Sequence, residues 1–114
     1  MIHESAVFDG AIIGKNVRID AFALVNKGVV IGDDCYIGPY THVKAHLPPY
    51  TKALRDGSIG INYLGLRPFY SKETLAHMGR IYKALRDGHA LTHNSEEYAL
   101  KLIRFFKEYC ERVI

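Results

Sequence analysis

Cysteine is scarce in this chain. Only Cys35 and Cys110 occur, too few and too far apart for a disulfide framework or a zinc knuckle, so both are expected to be reduced thiols. No apolar run approaches the ~18 residues that a spanning helix needs, and no membrane span is expected. The opening Met1-Ile2-His3-Glu4-Ser5 lacks the basic and apolar regions of a secretory signal, so a cytoplasmic location is expected. Charge of one sign is not clustered either. The net charge of +3 is spread along the chain, which argues against nucleic acid as a partner. It would suit an anionic substrate or an acidic carrier protein. What is present is an ordinary globular balance, 48% apolar and 24% charged in 114 residues, enough for one modest domain.

The dominant signal is a period of six. Every sixth residue from the first is Met1, Val7, Ile13, Ile19, Val25, Ile31, Ile37 and Val43, all aliphatic or Met. The residues two places before each next rung are Ser5, Ala11, Val17, Ala23, Val29, Cys35, Thr41 and Leu47, mostly small or apolar. Gly14, Gly32 and Gly38, with Asp20 and Asn26, follow the first column, and these types tolerate positive φ at a tight corner. A hexad of this kind is a short strand plus a corner, and three hexads close one triangular coil. Coils stack at about 4.8 Å, the ordinary strand spacing. An antiparallel sheet would instead show period 2. The expected fold is mainly β with an α tail: a short, single-stranded left-handed parallel β-helix over residues 1–48, then a C-terminal α-helical hairpin. A stack this short buries little, so its faces are expected to pack against copies of themselves.

Pro48-Pro49 is expected to end the hexads, because proline cannot donate to a ladder. Residues 49–70 read as an extended connector whose Ile59, Ile61, Tyr63 and Leu66 lie along the prism. Residues 71–114 read as the helical region, the whole chain forming one compact unit. Ser71 is the expected N-cap of a first helix, with Glu73 in its first turn. Leu75, Met78, Tyr82 and Leu85 follow helical spacing, and Asp87-Gly88 closes it. Asn94 or Ser95 starts a second helix whose apolar face is Tyr98, Leu102, Phe105, Phe106 and Tyr109. The string Lys-Ala-Leu-Arg-Asp-Gly occurs at both 52–57 and 83–88, by chance or as a shared turn signal.

Several segments resemble the LpxA-like UDP-N-acetylglucosamine O-acyltransferases of lipid A synthesis. They are Met1-Ile2-His3 with the hexads, Leu47-Pro48-Pro49-Tyr50, Gly60-Ile61-Asn62-Tyr63-Leu64-Gly65-Leu66-Arg67, Phe69-Tyr70-Ser71-Lys72-Glu73 and Leu102-Ile103-Arg104-Phe105-Phe106. The Asn-x-x-Gly-Leu-Arg element is the most specific of them. Family members are more than twice as long, and the His-Ile-Ala-His-Asp context of their catalytic histidine does not occur here. The resemblance implies acyl transfer from acyl carrier protein, or another acyl thioester, to a UDP-sugar by a homotrimer, with no cofactor. The alternative is a non-catalytic trimeric remnant, or a nucleotide-sugar-binding module, that has lost the central coils.

Such a reaction needs a base near neutrality and a donor for the oxyanion. His42, the last residue of its hexad, stands in the register that the family's catalytic histidine holds, so it is the candidate base; an exposed corner histidine, or one packed in a trimer contact, is the alternative. His46 is a weaker candidate, and His3 reads as a surface residue. By resemblance, Gly60, Asn62 and Arg67 bind substrate: an amide reads a hydroxyl or a base edge, and a guanidinium pairs with phosphate. Asn62 equally fits a role in satisfying connector backbone groups. Lys44, Lys52 and Arg55 read as solvated surface, with added positive potential near the groove as the alternative. His89 and His93 have metal-ligand spacing but lack acidic or Cys partners, so no metal is expected.

Overall fold

A computed structural model describes residues 1–89 and 94–110. Its strands are β1 (Ile12–Ile13), β2 (Arg18–Ile19), β3 (Leu24–Val25), β4 (Val30–Ile31), β5 (Tyr36–Ile37), β6 (His42–Val43), β7 (Thr51–Ala53) and β8 (Ile59–Ile61). Helices α1 (Tyr63–Leu66), α2 (Lys72–Arg86) and α3 (Glu97–Phe105) follow. The chain is therefore mainly strand with some helix. The strands form three separate sheets, ordered β1-β4, β2-β5-β7-β8 and β3-β6. Every pair is parallel except β7 with β8. Ile12 pairs with Val30, Arg18 with Tyr36 and Leu24 with His42, so each strand meets the one 18 residues later (30 − 12, 36 − 18, 42 − 24). All three sheets contribute to one buried cluster, which includes Ile31, Ile19, Ile37, Val25 and Val43. Between these rungs lie the small inward residues Val17, Ala23, Val29 and Cys35, also in the cluster. The Cys35 thiol donates to the Pro48 carbonyl at 3.0 Å, and burial pushes its pKa up to about 11.

The period of six holds between its ends and slips at both. At the start, Ile2 and Phe8 pack against the core, while Met1 and Val7 are 88% and 52% exposed. The bridges run Ile2 to Ile19 and Val7 to Leu24, one residue out of the 18-residue register. Met1 and Val7 therefore leave the inward column that their spacing implied. At the other end Leu47 is a rung, not a small inward residue. It bridges Ile31, and Ala53 then pairs with Ile37, both 16 residues apart (47 − 31, 53 − 37). The third coil is two residues short.

Nor do the hexads stop at Pro48. Leu47, Thr51 and Ala53 repeat the rung, small and rung spacing, and all three are buried. The prolines are accommodated because they occupy the corner, where no ladder donor is required. The segment expected to be an extended connector thus carries β7 and β8, which complete one sheet, and the short α1. Ile61 and Leu66 pack with the helices rather than along the prism, and Ile59 and Tyr63 are exposed.

The corners also differ from expectation. Positive φ falls on the third residue after six of the rungs, at Asn16, Phe22, Gly28, Asp34, Tyr40 and Tyr50, and not on the residue immediately after them. Gly14 and Gly32 are glycine for a different reason. A Cβ on Gly32 would collide with the Pro49 backbone, and one on Gly14 with Asp33, because successive coils touch there.

The helices follow their signals closely. Ser71 accepts from the Thr74 amide at 3.1 Å and caps α2, which ends on Asp87. Gly57 and Gly88, the final residues of the two Lys-Ala-Leu-Arg-Asp-Gly copies, both have positive φ (88° and 84°), so the string acts as a shared turn signal. The cap of α3 is Glu96, not Asn94 or Ser95, and makes no side-chain hydrogen bond. Residues 106–110 continue α3 as one wider π-type turn. Met78, Ile81 and Tyr82 of α2 pack with Ala99 and Leu102 of α3 and with Tyr50, Ile61 and Leu66. His77 Nδ1 and the Tyr98 hydroxyl, 2.6 Å apart, join the two helices.

Gly32→Ala should lower stability by about 1–3 kcal/mol, the range for overpacking a tight site. A urea midpoint within error of the parent would show that the coils can separate there.

Candidate functional site

His42 lies on the outer side of β6, beside Leu24 of β3, and is exposed. Its Nε2 is 2.7 Å from Asn26 Oδ1. A carbonyl oxygen can only accept, so in the neutral imidazole Nε2 carries the proton and Nδ1 the lone pair. Apolar residues also stand on this side. Val7 and Leu24 share this face, and Phe22 and Tyr40 stack at 5.2 Å on neighbouring corners, both more than half exposed.

Asn62 is buried and engaged at both ends of its amide. Its Nδ2 donates to the Asp34 carbonyl at 3.1 Å, and its Oδ1 accepts from the Gly65 amide at 3.2 Å. It is the N-cap of α1 and fastens that turn to the stack. What α1 delivers is a groove of about 580 Å³ lined by Tyr63, Arg67, Tyr70, Lys72, Leu75 and Ala76. Two cations and two phenols therefore meet over an apolar floor. Spacing alone did not single out Tyr63, Tyr70 or Lys72, although the alternation of aromatic and basic residues from 63 to 72 is visible in the sequence. Gly60 sits on β8 opposite Lys52, with open space where a Cβ would stand. It ends an outward row of Arg18, Tyr36, Lys52 and Gly60 across one sheet. In that row the Tyr36 hydroxyl donates to Asp20, and the Arg18 guanidinium lies 5.8 Å from the Tyr36 ring centre.

These residues do not share one cavity within the chain. His42 lines neither the Arg67 groove nor a second one of about 340 Å³, which runs from Ile12 and Val30 to Phe105 and Tyr109. His46 has a structural role there. Its Nδ1 accepts from the Val30 amide at 2.9 Å, and its ring packs on Tyr109 at 5.4 Å. His3 bonds Ser5 in the first coil. Arg55 lies over the Tyr40 ring at 5.4 Å, and Lys44 is exposed. His89 is exposed, and His93 lies outside the described residues. Among the described residues no group of three His, Cys, Asp or Glu could hold a metal ion, and no helix is long and apolar enough to cross a membrane.

Asp33 joins the coils to α3. Its carboxylate accepts from the Lys15 amide at 2.7 Å and pairs with Lys101 at 2.8 Å. Burial alone would raise its pKa, but the bonds from Lys101 and Lys15, with their charges, outweigh that and hold it below the ordinary carboxylate value.

The strands that carry the period of six pair in parallel 18 residues apart, and the family profile "Bacterial transferase hexapeptide (six repeats)" matches residues 10–45. Those are the residues over which the period runs without a slip. No curated protein matches the chain. Solved structures do, among them the following three. A UDP-N-acetylglucosamine acyltransferase from Campylobacter jejuni has a TM-score of 0.76 at 19% identity, over 87% of this chain and 43% of its own. The corresponding enzyme from Bacteroides fragilis has a TM-score of 0.73 at 22% identity, over 91% and 46%. LpxA from Acinetobacter baumannii has a TM-score of 0.59 at 25% identity, over 72% and 33%. In fold the chain is similar to these enzymes, and it spans less than half of their length.

Two variants test the local geometry. Asn62→Ala should cost about 1–3 kcal/mol by leaving buried backbone groups unpaired, read as a lower urea midpoint. Asp33 has a depressed folded pKa, so its contribution is present above the unfolded carboxylate value of ~3.9 and is lost as pH falls through the folded one. The stability gap between Asp33→Asn and the parent should therefore be widest near neutrality and close on acidification; a gap independent of pH would refute the ion pair's role.

Proposed function

We propose that this chain is an acyltransferase that moves an acyl group from a carrier thioester to a hydroxyl of a UDP-amino sugar such as UDP-N-acetylglucosamine. The observation that carries the reading is the likeness to LpxA-type enzymes together with His42, a histidine in catalytic register with its lone pair on Nδ1. In this reading the stack is a left-handed β-helix and the two C-terminal helices form an antiparallel hairpin. Three copies associate in the cytoplasm through the faces bearing Val7 and Leu24, flanked by the Phe22–Tyr40 stack. That packing would bury an apolar face and bring a neighbour's groove toward His42, which shares no cavity with Arg67 in one chain.

The chemistry follows from the Asn26 contact. Asn26 fixes the Nε2–H tautomer, so Nδ1 takes the proton as the sugar oxygen attacks the thioester carbonyl. The imidazolium then returns that proton to the departing thiolate as the C–S bond breaks. Arg67 and Lys72 face the diphosphate, and Tyr63 and Tyr70 offer rings to a base. Asn62 holds the α1 turn that presents Arg67, and the bare Gly60 leaves room for the sugar. The fold likeness favours an acyltransferase over a non-catalytic remnant.

The test is turnover of UDP-N-acetylglucosamine with acyl carrier protein or acyl-CoA thioesters. His42→Ala should lower kcat/KM by about 10²–10⁴-fold, the usual contribution of a general base. An unchanged rate would remove His42 from the mechanism, and a parent without turnover would return the chain to the remnant reading.

A further inference from the structure

Gly79 stands in the middle of α2, although glycine is a poor helix former. Its backbone does not require glycine, because its φ is not among the positive values that Gly57 and Gly88 adopt. The approach of β8 does not require it either. A Cβ on Gly79 would meet Ile61 Cγ1 at 3.9 Å, an ordinary van der Waals contact. Among the described residues one atom excludes that carbon, the hydroxyl oxygen of Tyr63, at 2.8 Å. At Gly32 the obstacle is the backbone of Pro49, which is fixed, whereas at Gly79 it is the tip of a side chain.

Tyr63 is thus held at both ends. Its backbone belongs to the α1 turn that Asn62 caps, and its hydroxyl rests against the bare flank of α2. Between those points the ring forms a wall of the groove that Arg67 and Lys72 share. Leu75 and Ala76, which line the same groove, precede Gly79 by one helical turn, so seat and groove lie on one side of α2. The Arg67 amide donates to the Tyr63 carbonyl at 2.9 Å, so ring and guanidinium rise from the same turn. A cation beside an aromatic plane suits a ligand in which a base is joined to phosphate.

We propose that Gly79 is a positioning residue for this groove: its missing side chain seats the Tyr63 hydroxyl and so sets where the ring meets the base of a nucleotide-sugar. The proposal rests on the nucleotide-sugar reading above. In Gly79→Ala the helix gains a better former, and the Tyr63 side chain must swing to another rotamer. The substitution therefore favours the fold and disfavours the ligand. Opposite signs of that kind mark a residue kept for function, whereas a packing role would lower both together.

The full-length parent, Gly79→Ala, Tyr63→Phe and the double variant test it, each titrated calorimetrically with UDP-N-acetylglucosamine and unfolded in urea at one chain concentration. Gly79→Ala should weaken binding at least about fivefold, the low end of what base stacking contributes, while its urea midpoint stays level or rises. Tyr63→Phe removes the obstructing oxygen, so the double variant should bind within about twofold of Tyr63→Phe alone, the margin for a lost coupling. Parent-like binding by Gly79→Ala overturns the proposal, and so does a double variant still weakened as Gly79→Ala is. A midpoint that falls along with the affinity makes Gly79 a packing residue and also overturns it. A parent that does not bind defeats the nucleotide-sugar reading instead, and urea then decides the seat. Gly79→Ala should raise the midpoint more in the Tyr63→Phe background than in the parent, and equal shifts overturn the seat.

Discussion

Parallel pairing at an 18-residue offset is the constraint on which the rest of this molecule depends. It places one large and one small inward residue per hexad in a core that three sheets share, and it leaves no space between coils at the corners. Gly32 is glycine because Pro49 passes directly over it, and Cys35 is small because Pro48 and Thr51 close above its thiol. The outward row on each face follows from the same offset. Arg18, Tyr36 and Lys52 are distant in sequence and adjacent in space only because strands meet one coil later.

Much of this was legible in the residues. The rungs from Ile13 to Val43, the small positions between them, the Ser71 cap and the Gly88 stop all stand where their chemistry put them. The misreadings share one cause. A column of eight apolar residues looks continuous even where the register slips, because Met1 and Val7 are as apolar as the Ile2 and Phe8 beside them. Only burial distinguishes an inward valine from an outward one. Pro48-Pro49 misled in the opposite direction. Proline excludes a ladder position but not a corner, and the Leu47, Thr51, Ala53 spacing beyond it continues the coil in a new phase.

The candidate site was less legible, for a reason of geometry. Asn62 reads equally well as a ligand contact or a cap, and the decision depends on Asp34, which is remote in sequence and lies directly beneath it. The second grip on α3, through Lys101 and Asp33, likewise unites residues from opposite halves of the chain. By contrast, the ingredients of the groove formed by Tyr63, Arg67, Tyr70 and Lys72 lie within one short stretch. Their convergence depends on the α1 turn, which Asn62 caps at its start.

The slips at both ends bracket a central segment, Ile13 to Val43, in which strand meets strand at a constant 18-residue offset. Inserting or deleting a whole coil there would change the height of the stack without altering the perimeter, the corners or either terminus. Length in such a molecule is a modular quantity, free to vary while the sealing apparatus from Leu47 onward stays constant. A protein spanning less than half of its structural neighbours can therefore share their fold, since the 18-residue offset fixes how one turn sits on the next but not how many turns there are.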